Sequence, residues 1–183
     1  MTRAGIVGVT CDPVWMHMFV DETERGGHLL AATLVAPAAL HSTRSLMRSL
    51  LLPGERRVHF KSEKDSRRKF IVSRIVERTF EVVVVSSCQK GDSARAVLLE
   101  RLVTEAVDRG VSRLVLDSRD HAGNARDRVV LARTKARDAG IVYEHIQSSA
   151  EPALWVSDAV AWCLGAGGDW VRRISPVVTR IEP

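Results

Sequence analysis

The apolar positions of this chain fall into short, sharply bounded runs separated by segments with helical periodicity. Trp15 to Val20 is one such run, cut off at Asp21-Glu22-Thr23-Glu24, and Gly26-Gly27 leads into a second, His28 to Val35. Two runs joined by a short polar link with glycine predict a β-hairpin. Pro37 suits the first turn of a helix, and Leu40, Met47, Leu50 and Leu51 recur at helical spacing over Ala38 to Leu51, which Pro53-Gly54 ends. Arg57-Val58-His59-Phe60 reads as a short edge strand. Ser62 to Arg78 mixes charge with Phe70, Ile71, Ile75 and Val76, the pattern of an amphipathic helix. Phe80 to Val85 is nearly unbroken β-branched residue, as expected of a strand covered on both faces. Helix and strand then alternate. A helix over Ser93 to Arg109 turns Val97, Leu98, Leu102, Val103 and Val107 inward and stops at Gly110. A strand (Ser112 to Leu116), a helix (Asn124 to Asp138), a strand (Ile141 to His145) and a last helix (about Glu151 to Leu164) complete the series. A hairpin followed by this alternation predicts an α/β fold with a mixed sheet whose parallel members are flanked by helices.

The 183 residues suit one domain, expected over residues 15–183. Residues 1–14 show no clean periodicity, end near the Asp12-Pro13 breaker, and read as a loose N-terminal extension. Hydrophobic residues at 45% and charged residues at 27% place the chain with globular rather than disordered proteins. A chain of this size buries roughly 70% of its unfolded surface, so neither metal nor disulfide is needed to hold it together. Cys11, Cys88 and Cys163 form no C-x-x-C pair and have neither disulfide-framework nor zinc-ligand spacing, which suits buried or idle thiols in a reducing cytosol. No apolar run reaches the ~18 residues of a membrane helix and no signal pattern opens the chain, so a cytoplasmic protein without membrane association is expected. The net charge of +5 gathers at Arg56-Arg57, Lys61-Ser62-Glu63-Lys64, Arg67-Arg68-Lys69 and Arg172-Arg173. Such clusters are compatible with a polyanionic partner, although a solvated surface explains the charge alone.

The placement of the acids is more informative. Asp21 ends Met18-Phe19-Val20 and Asp117 ends Leu114-Val115-Leu116, each at the carboxyl end of a predicted buried strand, the edge where open α/β sheets form their sites. Asp158 interrupts an apolar helix stripe, because Leu154, Trp155, Ala161 and Trp162 stand three and four positions away. A carboxylate there is costly unless it is paired or holds a cation. Two carboxylates about 4 Å apart repel by roughly 4 kcal/mol at an effective dielectric near 20. Mg²⁺ or Mn²⁺ reverses that sign, and such clusters cleave phosphodiesters by activating water and steadying the leaving oxygen. Singly, each acid has a structural explanation: Asp21 and Asp117 as loop caps, Asp158 as an arginine partner.

These residues also carry a resemblance. Phe19-Val20-Asp21-Glu22-Thr23 resembles the F-[IV]-D-E-S opening of the domain-of-unknown-function 3800 family, in which a glycine-bearing turn and a second strand follow, as Gly26 to Val35 do here. Val58-His59-Phe60-Lys61 resembles its E-[LI]-H-F segment, Leu114-Val115-Leu116-Asp117 its later acid-ended strand, and Trp155 to Trp162 its closing LQ-x-AD-x-[IV]-A helix. With Asp65-Ser66-Arg67-Arg68 and Gly167-Gly168-Asp169-Trp170 included, the chain is most similar to short actinobacterial hypothetical proteins related to that family, over about Met18 to Val178. The resemblance implies a ribonuclease H-like fold with helices on both faces of the sheet, and Asp21, Asp117 and Asp158 around Mg²⁺ or Mn²⁺. It makes Glu22 an accessory ligand and His59 a proton-transfer or phosphate-contacting group. The family's glutamate two residues before that histidine is Arg57 here, which puts a second metal position in doubt.

The leading expectation is therefore a divalent-metal-dependent nuclease or related phosphodiester-processing enzyme, with nucleic acid contacted by Arg57, Lys61, Arg67 and Arg68. The alternative is a catalytically degenerate nucleic-acid binder on the same fold, as part of a mobile-element or defence system. A third reading makes Trp155, Trp162 and Trp170 a partner surface, against the ordinary role of such tryptophans in a core.

Overall fold

The computed structural model describes residues 15–182, so the extension expected over residues 1–14, and Cys11 with it, lies outside the described residues. Its centre is a six-stranded sheet in the order β5-β4-β1-β2-β3-β6. The strands are β1 (Met16–Thr23), β2 (His28–Val35), β3 (Glu81–Ser87), β4 (Val111–Asp117), β5 (Val142–Ile146) and β6 (Val178–Ile181). β2 runs antiparallel to both β1 and β3, whereas β1/β4, β4/β5 and β3/β6 are parallel pairs. The helices are α1 (Pro37–Ser49), α2 (Asp65–Glu77), α3 (Gly91–Asp108), α4 (His121–Arg133), α5 (Leu154–Ala166) and α6 (Asp169–Ile174).

Because successive strand side chains point to opposite faces, the sheet separates two cores. Phe19, Ala31, Val84 and Val115 face α1, α2 and α5, meeting Met47, Ile71, Ile75 and Val160. Met18, Val20, Leu30, Val83, Leu114 and Leu116 face α3 and α4, meeting Leu98, Leu102 and Leu131. Helices thus cover both faces, as expected. The β2 strand is buried at every position, which fits its largely apolar sequence and central place; its two polar residues, His28 and Thr33, are hydrogen-bonded.

The hairpin falls where the sequence predicts it, with one difference. β1 continues past Val20 through Thr23, which pairs with Leu29, so Asp21 and Glu22 lie within the ladder rather than beyond it. The turn needs both of its glycines. Gly26 and Gly27 have φ of +80° and +140°, and a side chain on Gly27 would run into the Ser87 carbonyl of β3.

Two segments depart from expectation. Arg57 to Phe60 forms no strand; a single 3-10 turn, Phe60–Ser62, follows an irregular stretch. Val58 and Phe60 are apolar because they plug the core beside α5, not because they pair with a sheet edge. Beyond the last predicted helix the chain adds α6 and the edge strand β6.

Trp155 is buried, while Trp162 packs edge-on against Phe60 and Trp170 with ring centroids 5.3 and 5.4 Å apart. The three tryptophans belong to the core and its margin. No helix among the described residues is long and apolar enough to cross a membrane.

The α5 helix is pinned to the sheet by a buried polar contact. The Ser157 hydroxyl donates to the Phe19 carbonyl of β1 (2.7 Å) and accepts from the Thr33 hydroxyl of β2 (2.7 Å). Ser157→Ala leaves the Thr33 donor unpaired in the core and is expected to cost about 1–3 kcal/mol. Urea denaturation of the variant measures it, and a change within experimental error would deny Ser157 this role.

Candidate functional site

The pleat that separates the cores also aims the acids. Asp21 lies two residues beyond Phe19, and Asp117 two beyond Val115, so both share the face that α5 covers. In the parallel β1/β4 ladder Val20 pairs with Leu116, which sets Asp21 and Asp117 at the next step of adjacent strands. Asp158 follows Ser157, the residue that pins α5 across β1 and β2. Three carboxylates far apart in sequence therefore meet at one corner of the molecule.

Their electrostatics show how closely they are coupled. Burial holds Asp21 well above the usual carboxylate range, and the charges of Asp158 and Asp117 push it further, against one hydrogen bond from the Glu22 amide (2.7 Å). Burial also raises Asp117, partly offset by the amides of Ser148 and Ser118 and by the Arg57 charge. Asp158 is raised by burial and by Asp117, and lowered by the Phe60 amide (3.3 Å) and by the charges of His59 and Arg57. Among the described residues no lysine, arginine or histidine nitrogen comes within the 4.0 Å ion-pair distance of any of the three. Arg95 and Arg119, which reach this edge, are bound to Glu22 and Asp127 instead.

A small cavity of ≈ 20 Å³ opens between the strand ends, lined by Val20, Asp21, Glu22, Arg95, Asp117 and Arg119. That is room for about one water molecule or ion. Two guanidinium groups line it beside three carboxylates, and Asp158 is not part of its lining; the trio of aspartates by itself offers only carboxylate oxygen, which suits a hard divalent cation in chemistry. As the side chains stand, however, no group of three or more His, Cys, Asp or Glu among the described residues is arranged to enclose a metal ion.

Glu22 points to the other face of the sheet and joins a separate network. His28 Nε2 lies 2.6 Å from its carboxylate, Arg95 donates to it, and Arg119 stands 3.9 Å away. Arg95 also grips Asp127 through two hydrogen bonds of 2.8 and 2.9 Å, and Asp127 receives Arg119 (2.8 Å) and His145 (3.2 Å). Against the desolvation of burial, hydrogen bonds from Arg95 and His145 hold Asp127 far below the usual carboxylate range. The His28 bond and the Arg95 charge likewise overcome burial to hold Glu22 below its ordinary value. This cluster ties β1, β2, α3, α4 and β5 together behind the acid corner.

The basic residues divide into two groups. Arg57 and Lys61 are exposed. Arg67 and Arg68 instead hold α2 against the turn before it: Arg67 donates to the Leu50 carbonyl, and Arg68 to the carbonyls of Phe60 (3.0 Å) and Lys61 (2.6 Å). Arg68 also pairs with Asp65 (2.7 Å) and lies 4.3 Å above the Trp162 ring. His59 is exposed, with Nδ1 3.1 Å from the Ser62 hydroxyl. Arg172 and Arg173 are both paired with Asp169. Burial pushes the Cys163 thiol up to about 12, which leaves it unreactive at neutral pH, while Cys88 is exposed.

No known protein family matches the chain, and no curated protein matches it. Solved structures do. The complex of PCNA and RNase HII from Archaeoglobus fulgidus matches with a TM-score of 0.55 at 16% identity, over 87% of this chain and 76% of that one. The fold is ribonuclease H-like. At that identity the likeness establishes the architecture and leaves the chemistry to the side chains. The sheet order brings acids from β1, β4 and α5 toward one corner: β1 lies centrally, β4 joins it in parallel, and α5 packs across β1 and β2.

Proposed function

We propose that this protein is a divalent-metal-dependent nuclease or related phosphodiester-processing enzyme in which Asp21, Asp117 and Asp158 hold Mg²⁺ or Mn²⁺. The observation that carries the reading is a trio of half-buried, mutually repelling carboxylates that no cationic side chain among the described residues neutralises. Burying such charge without compensation is costly, and a structural role would have been met more cheaply by neutral residues. A bound divalent ion supplies a Lewis acid and an activated water for phosphodiester hydrolysis.

The chain's own groups have distinct tasks. Arg57 and Lys61 offer exposed charge for the phosphate backbone of a nucleic acid. His59 stands near enough to Asp158 to favour its ionised form, and its Nδ1 is occupied by Ser62, which leaves Nε2 as the nitrogen for proton transfer. Glu22, bound to His28 and Arg95, acts as a positioning residue that fixes the end of β1. Arg68 serves by holding the 57–64 segment in place, and Arg67 ties α2 to the end of α1.

The test is cleavage of end-labelled RNA, DNA and hybrid duplexes with Mn²⁺. The wild-type protein is expected to cut at least one of them, and Asp21→Asn and Asp158→Asn to fall to the level of buffer alone. Equal cleavage by wild type and variants would remove the assignment. The position of Arg57 favours a second reading, a nucleic-acid binder that has lost catalysis. Its mark is an affinity that falls steeply with salt and ignores EDTA.

A further inference from the structure

Between the chain that leaves α1 and the start of α2 lies a cavity of ≈ 330 Å³, lined by Leu52, His59, Ser62, Glu63, Ser66 and Arg67 among others. His59 links it to the acid corner: the His59 charge reaches Asp158, and the next residue, Phe60, donates its amide to that carboxylate (3.3 Å). The volume stands at the lower end of the range of about 300–1,000 Å³ for small-molecule pockets, which is room for one nucleoside and not for a duplex.

The pocket carries a polar pair with unused capacity. The Glu63 side chain is only 8% exposed, yet among the described residues its carboxylate receives no hydrogen bond; it stands 3.8 Å from Arg67 Nε, too far for one. Arg67 Nε is in turn buried without a hydrogen bond, its guanidinium being turned to the Leu50 carbonyl. A carboxylate so enclosed asks for donors to both of its oxygens. Among the natural bases guanine alone presents two adjacent, parallel donors on one edge, N1–H and N2–H2, the fork that a carboxylate accepts from arginine. Adenine and cytosine offer one amino group there, and uracil and thymine one imide N–H. The surroundings fit a single strand. Leu52 is 43% exposed at the pocket, and Phe70, one turn beyond Ser66 on the same side of α2, is 49% exposed. Arg56, Arg57, Lys61 and Lys64 are exposed, form no ion pair among the described residues, and outnumber the exposed Glu55. Basic side chains for the backbone beside an exposed ring for a base are the means by which proteins hold unpaired strands.

We propose that this pocket holds one unpaired guanine of a nucleic-acid strand whose backbone passes His59 toward the acid corner, with Glu63 receiving N1–H and N2–H2 and Phe70 stacking the adjacent base. The inference rests on the nucleic-acid reading above, narrows its substrate to a guanine-bearing single strand, and needs no metal ion.

Fluorescence anisotropy with end-labelled RNA and DNA hexamers in EDTA tests this without any assay of cleavage. In at least one of the two, wild type is expected to bind a hexamer with a central guanine about ten-fold more tightly than the same hexamer with adenine, the discrimination of a bidentate contact. Inosine, which lacks the N2 amino group, should lose most of that advantage. Glu63→Gln should bind guanine and adenine hexamers alike, and Phe70→Ala should weaken both by about ten-fold. Equal binding of guanine and inosine hexamers by wild type, or a preference kept by a folded Glu63→Gln, would overturn the inference. Unchanged affinity in Phe70→Ala, or displacement of the hexamer by an equal concentration of GMP, would overturn the path of the strand. Guanine preference in a protein that cuts nothing with Mn²⁺ would leave the inference standing and remove the nuclease assignment; cleavage with no preference would do the reverse.

Discussion

Arg95→Ala is expected to destabilise the protein by about 3–5 kcal/mol, the usual result of removing one partner from a buried ion pair. The Arg95 side chain is 5% exposed and lies between Glu22 and Asp127, itself 3% exposed. Alanine would leave Asp127 leaning on Arg119 and His145 alone, and Glu22 on His28 and a more distant Arg119. Both carboxylates are held below their ordinary values in the folded protein. The stability they contribute is therefore full above the ordinary carboxylate range and is lost as pH falls through their folded values. Denaturation curves should show the loss at neutral pH, together with a flatter dependence on acid in the variant. The double variant Arg95→Met, Asp127→Leu should recover much of the loss, since it removes the stranded charge as well. A single-variant cost below about 1 kcal/mol would mean that the network is ornamental.

Asp21→Asn should act in the opposite direction and stabilise the protein by about 1–2 kcal/mol at neutral pH, because it removes a carboxylate that the fold makes costly. The folded-state value of Asp21 is raised, so the folded chain retains a proton that the unfolded chain has already released. Wild-type stability consequently falls as pH rises from the ordinary aspartate range through that raised value, and stays reduced above it. The variant lacks this penalty, and its advantage should grow across the same window and then level off. For a chain of this size the gain corresponds to about 2–8 °C in melting temperature. Scanning calorimetry at several pH values checks it, and a variant less stable than wild type at neutral pH would refute the picture of mutual repulsion. Higher stability joined to lost cleavage would mark the corner as one where the fold tolerates strain for chemistry.

Much of the architecture was legible because the chain's hydrophobic pattern is locally unambiguous. The β2 strand was delimited correctly since its apolar run begins directly after the two turn glycines, and the alternation from β3 onward followed from clear 2- and 3.6-residue periods. Asp21 and Asp117 stood out as the first charges after buried runs, and Asp158 as a charge among apolar helix neighbours; the structure brings all three together. The segment from Arg57 to Phe60 reads as a strand because Val58 and Phe60 alternate like strand residues, while what seats them is tertiary: the core beneath them, Asp158 and Ser148. Ser148 carries no sequence signal, since its carbonyl and amide bonds are open to any residue and its hydroxyl partner, Arg57, is far away in the chain. The α6 helix and β6 are too short for periodicity to resolve. The Arg95 network was discoverable by the argument applied to Asp158. Arg95 precedes Leu98, Leu99 and Leu102 on one buried stripe, and Asp127 precedes Leu131 by one helical turn.

The order of strands in the sheet dictates the order in which the molecule can be assembled as it leaves the ribosome. Of the described strands, β1, β2 and β3 are made before the others and pair with one another, yet the outer border of β1 has no neighbour until β4 is made, and that of β3 waits for β6. While residues 88–110 are being made a nascent chain therefore carries both bare borders at once, the situation in which unwanted strand pairing between chains is most frequent. Growth conditions that slow elongation between residues 36 and 110 should accordingly lower the yield of native protein, and α5, by docking last among the acid-bearing elements, makes the corner one of the last features to form.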